Sequence, residues 1–421
     1  MSLARRLITT CLIGTLCVYS MFSAVDISLV LVCGISLACL ALLVVVTGGV
    51  ISISRVFLLL TIDIVLATIY SHRFEPALIS YSLVFLILIM TCIVITSHPL
   101  KYDLESIIKV VVFFSIVSIV FLIAEYVFRT RIRGILSLFL SGDNLTLEMN
   151  RIQTGYGFRG LAEFPNAISI AGFFLLCYTI WMTNSRNKTK KAILYVLSIV
   201  GIVISGERTD FVFVPFSLVA TYYLGSDRGK LFRALKIFAI GIATILILIL
   251  LRSYLMKYYL FRRVFTSITG YFAGESISNG RSRLYSTAIM QWKRSPIIGS
   301  GWFYFFYNNR GIIGRDVYVH VHNLILEFLC DCGIIGMIMF MLPITSSLFG
   351  NVRELRKIGD NNKYTRIYKF SLALQIYFLT DSMLHVTFFS QNLIMFYFLA
   401  LLFYYSTKKV ANTIPTTMEG I

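Results

Sequence analysis

Apolar residues fall along this chain in long unbroken runs separated by polar links. The runs cover 7–23, 27–47, 50–70, 77–96, 107–128, 167–182, 192–205, 211–224, 235–251, 324–348, 367–388 and 393–405. At roughly 20 residues each they have the length of a bilayer-crossing helix. A bilayer admits helices or closed barrels, and continuous runs of this kind are helical. The pattern predicts an all-α polytopic membrane protein of about twelve transmembrane helices. It predicts a single integral membrane domain over 1–421, with two long polar intervals at 129–166 and 252–322.

Composition agrees. The chain is 57% hydrophobic and 14% charged, with mean hydropathy +0.81, a balance that excludes a water-soluble globular domain. Arg5 and Arg6 before the first run, and Phe22-Ser23-Ala24 after it, resemble a signal peptide. The next run follows at once, so an uncleaved first helix is expected. Of eight cysteines, Cys11, Cys17, Cys33, Cys39, Cys92 and Cys177 lie inside apolar runs as small hydrophobes. Cys330 and Cys332 flank Asp331; we favour packing over ligation for this lone C-x-C. Pro165, Pro296 and Pro343 are placed at or near loop–helix junctions.

The formal net charge of +18 changes the picture further. A basic chain can meet nucleic acid, anionic lipid or an acidic substrate. Nucleic acid is excluded as a partner here, because the charges lie in links between spans. Short links hold Arg186, Lys188, Lys190 and Lys191; Arg228, Lys230, Arg233 and Lys236; and Arg353, Arg356, Lys357, Lys363 and Arg366. Lys408-Lys409 follows the last run. Positive charge is retained on the cytoplasmic side, so these links face inward and the two long intervals face outward. Long loops escape that bias, and the 252–322 interval is nonetheless dense in arginine. It carries Arg262, Arg263, Arg281, Arg283, Lys293, Arg294, Arg310 and Arg315. An outward cationic loop against a membrane implies an anionic partner.

Four stretches can carry chemistry. Ser205-Gly206-Glu207-Arg208-Thr209-Asp210 joins two spans by a tight turn. Three charges at the membrane face are costly unless they pair or bind a ligand. Arg208 is read as a substrate contact ahead of an interfacial anchor paired with Glu207 or Asp210. Residues 281–301 suggest a short amphipathic helix along the membrane surface, carrying Arg281, Arg283 and Tyr285. Arginine grips phosphate through a planar fork and stays charged at every relevant pH. His322-Asn323 opens a span that continues through Gly333 and Gly336. An imidazole there can take a proton from a sugar hydroxyl near neutral pH, although a histidine at a helix start is often a structural donor. His320 and Asp316 could complete a metal site, but the spacing is a weak pattern, and no metal is expected. Arg159-Gly160 and Glu163 lie in the other long interval, where Glu163 is either an acid/base or a salt-bridge partner of Arg159. Asp381 and His385 stand one helical turn apart in a late span and are read as a structural pair.

Together these stretches resemble the O-antigen ligase and polymerase superfamily of bacterial membrane glycosyltransferases. His322-Asn323 and Gly333-Ile334-Ile335-Gly336 fit its pattern of His, a polar residue, nine residues and Gly-x-x-Gly. Met337 stands where the ligase form usually has Gly, Thr or Tyr. Ser205 to Thr209 is similar to its Ser-x-x-Arg-Ser/Thr turn. Arg281 with Pro296-Ile297-Ile298-Gly299-Ser300-Gly301 is similar to its Arg…Pro-x-x-Gly-x-Gly run, with Tyr285 at a usually aromatic position. Arg159-Gly160 and Pro165-Asn166 resemble its loop before the sixth span. The likeness covers roughly the C-terminal two-thirds of the chain.

The resemblance implies a glycosyltransferase C-type helical fold in the bacterial inner membrane, with its site facing the periplasm. It implies a glycan donor carried on undecaprenyl pyrophosphate and no metal or nucleotide cofactor. Membrane lipid, a chain-length regulator and a flippase are the implied partners. Carried over, Arg208 and Arg281 would neutralise the pyrophosphate and His322 would activate the acceptor hydroxyl. Arg159, Arg283, Glu207, Asn323, Tyr285 and His320 would line the substrate. The polymerase form is favoured over the ligase. A transporter of an anionic solute is the rival of another class, and it would keep its ionisable residues deep in the spans.

Overall fold

The computed structural model describes most of residues 2–225, parts of 246–269 and, with gaps at 311, 313–317 and 359–363, residues 281–413. No strand occurs among the described residues. The helices are α1 (Ser2–Met21), α2 (Leu29–Val46), α3 (Arg55–Tyr70), α4 (Pro76–Ser97), α5 (Lys101–Phe128) and α6 (Arg133–Phe139). They continue with α7 (Pro165–Cys177, extended by a π turn Tyr178–Met182), α8 (Lys188–Ser205), α9 (Asp210–Leu224) and α10 (Arg252–Leu255). The last are α11 (Arg281–Arg294), α12 (Tyr304–Asn308), α13 (Leu324–Ile358), α14 (Thr365–Asp381) and α15 (Ile394–Thr413).

Each predicted run except 235–251 overlaps one of these helices; that run lies almost wholly outside the described residues. Six helices among the described residues are long and apolar enough to cross a membrane. The described residues are thus those of a helical, multi-pass membrane protein. In lipid a helix satisfies its own backbone groups, which makes it the element of choice for such apolar sequence.

Burial runs through the middle of the bundle. Every residue from Ala167 to Cys177 of α7 is buried, as is Leu393 to Tyr404 across the start and body of α15. Around them, α7 packs on α5 and α8, α15 on α4 and α14, and α14 on α9 and α13. Glycine permits the closest approach: a Cβ on Gly172 would stand 3.0 Å from the Ser198 carbonyl oxygen of α8. The outer faces expose leucine, isoleucine and phenylalanine, as expected where lipid is the solvent.

Two ends can be told apart. At one end Arg6 bonds Ser106, Lys409 donates to the Ser97 carbonyl, and Arg356 donates to the Leu224 carbonyl. Because α8 starts there, Lys188, Lys190 and Lys191 belong to that end too. At the other end lie the close of α1, the start of α7, the α8–α9 turn, the start of α13 and the close of α14. The basic residues of those links that the structure describes thus gather opposite the stretches singled out for chemistry.

Three expectations are corrected. Beyond a break at Gly333, α13 continues as helix to Ile358, so Arg353, Arg356 and Lys357 sit on its last turns instead of in a loop. Pro343 lies inside this helix, away from any junction. Helix α14 ends at Asp381, and residues 382–393 form a chain of turns folded into the bundle, with Thr387, Phe388 and Asn392 buried.

Candidate active site

The site is organised around a break in α13. Gly333 has φ 65° and ψ −167°, so the helix is interrupted one third of the way along. The break frees backbone groups on both sides, and buried backbone groups must find partners. The chain after α11 supplies them. Ser300 N–H donates to Cys330 O (3.1 Å) and Gly301 N–H to Asp331 O (2.8 Å). Ile334 N–H donates to Pro296 O (3.0 Å) and Ile335 N–H to Ile297 O (3.1 Å). Contact this close leaves no room for side chains. A Cβ on Gly299 would lie 2.3 Å from Asp331 O, and one on Gly333 would lie 2.4 Å from Ile297 O. Both glycines also hold positive φ, at 75° and 65°. The two glycine patterns, 296–301 and 333–336, are thus the two halves of one backbone clasp.

Asp331 completes it. Its carboxylate accepts from Phe303 N–H and Phe305 N–H, both at 2.9 Å, and so caps the start of α12. Aromatic packing then fixes the cap: Trp302 meets Phe328 edge-on at 5.3 Å, and Phe328 stacks on Phe340 at 4.1 Å. Cys330 Sγ lies 3.2 Å from Gln291 of α11, and Cys330 and Cys332 are both free thiols, in keeping with packing.

The clasp holds α11 against the first turns of α13, and with it Arg281 near His322. His322 sits just ahead of the helix with φ 58°, an uncommon backbone state for a residue with a side chain. Asn323 is the cap: its Oδ1 accepts from Leu326 N–H at 3.0 Å. Leu324 N–H reaches Ser382 O at 3.0 Å, and Tyr285 OH reaches His322 O at 3.4 Å. His322 Nδ1 is buried and has no hydrogen-bond partner among the described residues. Burial, then the charges of Arg281, His320 and His385, lower its pKa to about 3. The imidazole is therefore neutral and its Nδ1 is uncommitted.

The neighbouring candidates take other duties. Arg283 is exposed and donates to Ile312 O at 3.2 Å, which leaves Arg281 as the guanidinium acting on His322. His320 pairs with buried Glu327 and stacks on Phe306 at 4.5 Å. Asp316 lies outside the described residues, and among those described no group of three or more metal-ligating side chains occurs. Arg159 is 1% exposed and donates to Glu163 O, while Gly160 N–H reaches Glu125 at 2.7 Å. Glu163 accepts from Asn392 at 2.7 Å, and burial raises its pKa. These residues tie the chain before α7 to α5 and to the 382–393 turns.

The α8–α9 turn comes in from the opposite side. Gly206 closes α8 with φ 76°. On either flank of Arg208 a carboxylate is held from α14 or the turns after it. Tyr377 OH donates to Asp210 at 2.6 Å, and His385 Nε2 lies 3.7 Å from Glu207. His385 Nδ1 is bonded to Asp381 at 2.6 Å, and Asp381 also accepts from Thr387. Since His385 also acts on His322, the Arg208 turn, His385, His322 and Arg281 form one neighbourhood. The i, i+4 spacing of Asp381 and His385 was readable. Their link to Glu207 was not, because it spans more than 170 positions of sequence.

Helices of this length and apolarity define a multi-pass membrane protein, with polar side chains from four separate stretches collected at one end. Residues 193–341, from within α8 to within α13, match the protein family described as O-antigen ligase. That match is consistent with the O-antigen ligase/polymerase superfamily, and the segment holds Arg208, Arg281 and His322. No curated protein matches the chain.

Proposed function

We propose that the protein is a metal-independent glycosyltransferase that moves a glycan from undecaprenyl pyrophosphate onto another lipid-linked repeat unit, as a surface-polysaccharide polymerase. The supporting observation is His322: a neutral imidazole with an unpartnered Nδ1, set beside the Arg281 guanidinium. A base must be uncharged to accept a proton, and a diphosphate leaving group needs cations.

In this reading Arg208 and Arg281 grip the diphosphate. His322 Nδ1 takes the proton of the acceptor hydroxyl as its oxygen attacks the anomeric carbon. The bond to the diphosphate oxygen breaks, and the leaving charge falls on the arginines. One direct displacement inverts the anomeric centre. Bound diphosphate also offsets the positive charge that suppresses protonation of His322, so the base strengthens once donor is present. The described basic residues at the far end, Lys188, Lys190, Lys191, Arg356 and Lys409 among them, support a site on the outer face of the inner membrane. Membrane lipid presents both substrates there.

The family description keeps a second reading in view, transfer of the same donor to lipid A–core by a ligase. Gene deletion separates the two. A polymerase mutant leaves single repeats capping the core. Core without any repeats, with long lipid-linked polymer accumulating, would overturn the polymerase reading. For the chemistry, Arg208→Ala, Arg281→Ala and His322→Ala should each lower the transfer rate by about two orders of magnitude, the size of ~3 kcal/mol per electrostatic contact. Arg281→Lys should also impair, because the fork is lost. Normal transfer in any alanine variant removes that residue from the mechanism.

A further inference from the structure

His385 faces carboxylates on both of its ring nitrogens. Asp381, at the last residue of α14, takes its Nδ1 at 2.6 Å, and Thr387 holds the far oxygen of the same carboxylate. The ring is therefore fixed in direction, and its Nε2 points away from Asp381. Glu207 faces that Nε2 at 3.7 Å, an ion-pair distance beyond hydrogen-bond reach. A fixed ring with an unspent nitrogen, beside the Arg208 turn and close enough to act on His322, is placed as a ligand for an anion.

We propose that His385 is a third anion-binding group of this site, presenting Nε2 to the diphosphate of the lipid-linked donor while Asp381 orients the ring through Nδ1. This rests on the reading given under Proposed function, and it adds a binding residue that none of the quoted motifs contains. Glu207 then acts as a placeholder. It keeps Nε2 turned toward the Arg208 turn in the empty site and yields to the more strongly charged diphosphate. The groups facing the imidazole are Asp381 from α14, Thr387 from the following turns, Glu207 and Asp210 around the α8–α9 turn, and His322 before α13. Burial alone would lower its pKa, but Asp381, then Glu207 and Asp210, raise it to about 9. The ring therefore carries a positive charge at neutral pH, and Nε2 is a charged donor.

The test is binding by the full-length protein in lipid nanodiscs, with undecaprenyl diphosphate and undecaprenyl monophosphate as probes. Wild-type protein should prefer the diphosphate. His385→Gln keeps a neutral donor of similar size and should weaken diphosphate binding by about tenfold, the scale of one charge-assisted hydrogen bond. It should leave the monophosphate within about threefold, since two arginines already meet one phosphate. His385→Arg should recover most of the diphosphate preference.

A pH series on the wild type guards against a variant that fails to fold. The preference should fade as pH rises through about 9, where His385 loses its proton. Diphosphate binding by His385→Gln equal to wild type, or a wild-type preference unchanged from pH 7 to 10, overturns the proposal. Wild-type protein that binds neither probe instead sinks the donor assignment on which it rests.

Discussion

The two walls of the site are built by different physics. The α11–α13 wall, which carries Arg281 and His322, is held by four backbone hydrogen bonds across a pair of glycines. No titrating group takes part in those four bonds. The opposite wall, the α8–α9 turn with Arg208, is held by side chains: Tyr377 on Asp210 and His385 on Glu207. A backbone clasp in such close contact tolerates no added atom. A strap of charged side chains can be loosened by protons, or exchanged for a ligand. One wall is suited to placing a base, and the other to closing on an anion.

The largest effect should come from breaking the clasp. Gly299→Ala or Gly333→Ala would drive a Cβ to within about 2.4 Å of a backbone oxygen that cannot move aside. Each also sits at positive φ, which costs a side-chain-bearing residue further. We expect at least about 3 kcal/mol of destabilisation from either, seen as a thermal transition lowered by several degrees or as loss of folded protein in detergent. Alanine variants that melt with the wild type would show that the α13 break is held by something other than close backbone contact. Paired deletion of Cys330 and Cys332 side chains by alanine is the contrasting control, since both are free thiols.

A smaller and selective effect should follow from pH. The His385 pKa is raised in the folded protein to about 9, against about 6.5 for an exposed histidine. Its contribution to stability is fully present below about pH 6.5 and is lost as pH climbs through 9. His322 runs the other way. Its folded pKa is depressed to about 3, so the unfolded chain binds the extra proton and stability falls as pH drops below about 6.5. Hydrogen exchange therefore distinguishes the walls. At pH 10, amides of 206–210 and 382–387 should exchange faster relative to intrinsic rates, while those of 299–301 and 334–335 stay protected. Equal loss at both walls would abolish the contrast.

The helices were legible because lipid imposes a simple rule: an apolar run of sufficient length has little alternative to a helix. That rule places α2, α4, α7 and α9 to within a few residues. It misplaces the end of α14, because the predicted run continues to Phe388 while residues 382–393 pack as turns against Tyr81 and Asn323. It also hides the break in α13, since a single glycine in an apolar run does not announce its φ. Among the chemical residues, Arg208, Arg281 and His322 stood out as charged or titratable groups in tight polar stretches. Their neighbours were harder to separate. Arg283 looks like Arg281 in sequence, yet it donates to Ile312 O, and His320 looks like His322, yet its Nδ1 pairs with Glu327. Direction along a helix or loop decides between such pairs, and direction is a property of the folded chain.

The finest distinction concerns Asn323, read from sequence as a substrate contact and seen in the structure as the cap of α13. If capping is its whole role, Asn323→Ala should cost about 1 kcal/mol, by losing the bond to Leu326 N–H, and should slow transfer only as far as His322 shifts with the frayed turn. Asn323→Asp separates the two roles, because aspartate caps a helix as well as asparagine does but brings a negative charge and loses the amide donor. A cap role predicts that aspartate restores the melting temperature, short only of the long 3.4 Å bond from the Asn323 amide to Met383 O, and most of the transfer rate together. A substrate role predicts restored melting with transfer still impaired, since a carboxylate would stand near the diphosphate. The second outcome would move Asn323 from the backbone-built wall into the ligand-facing set, and the contrast between the two walls would then stop one residue short of His322.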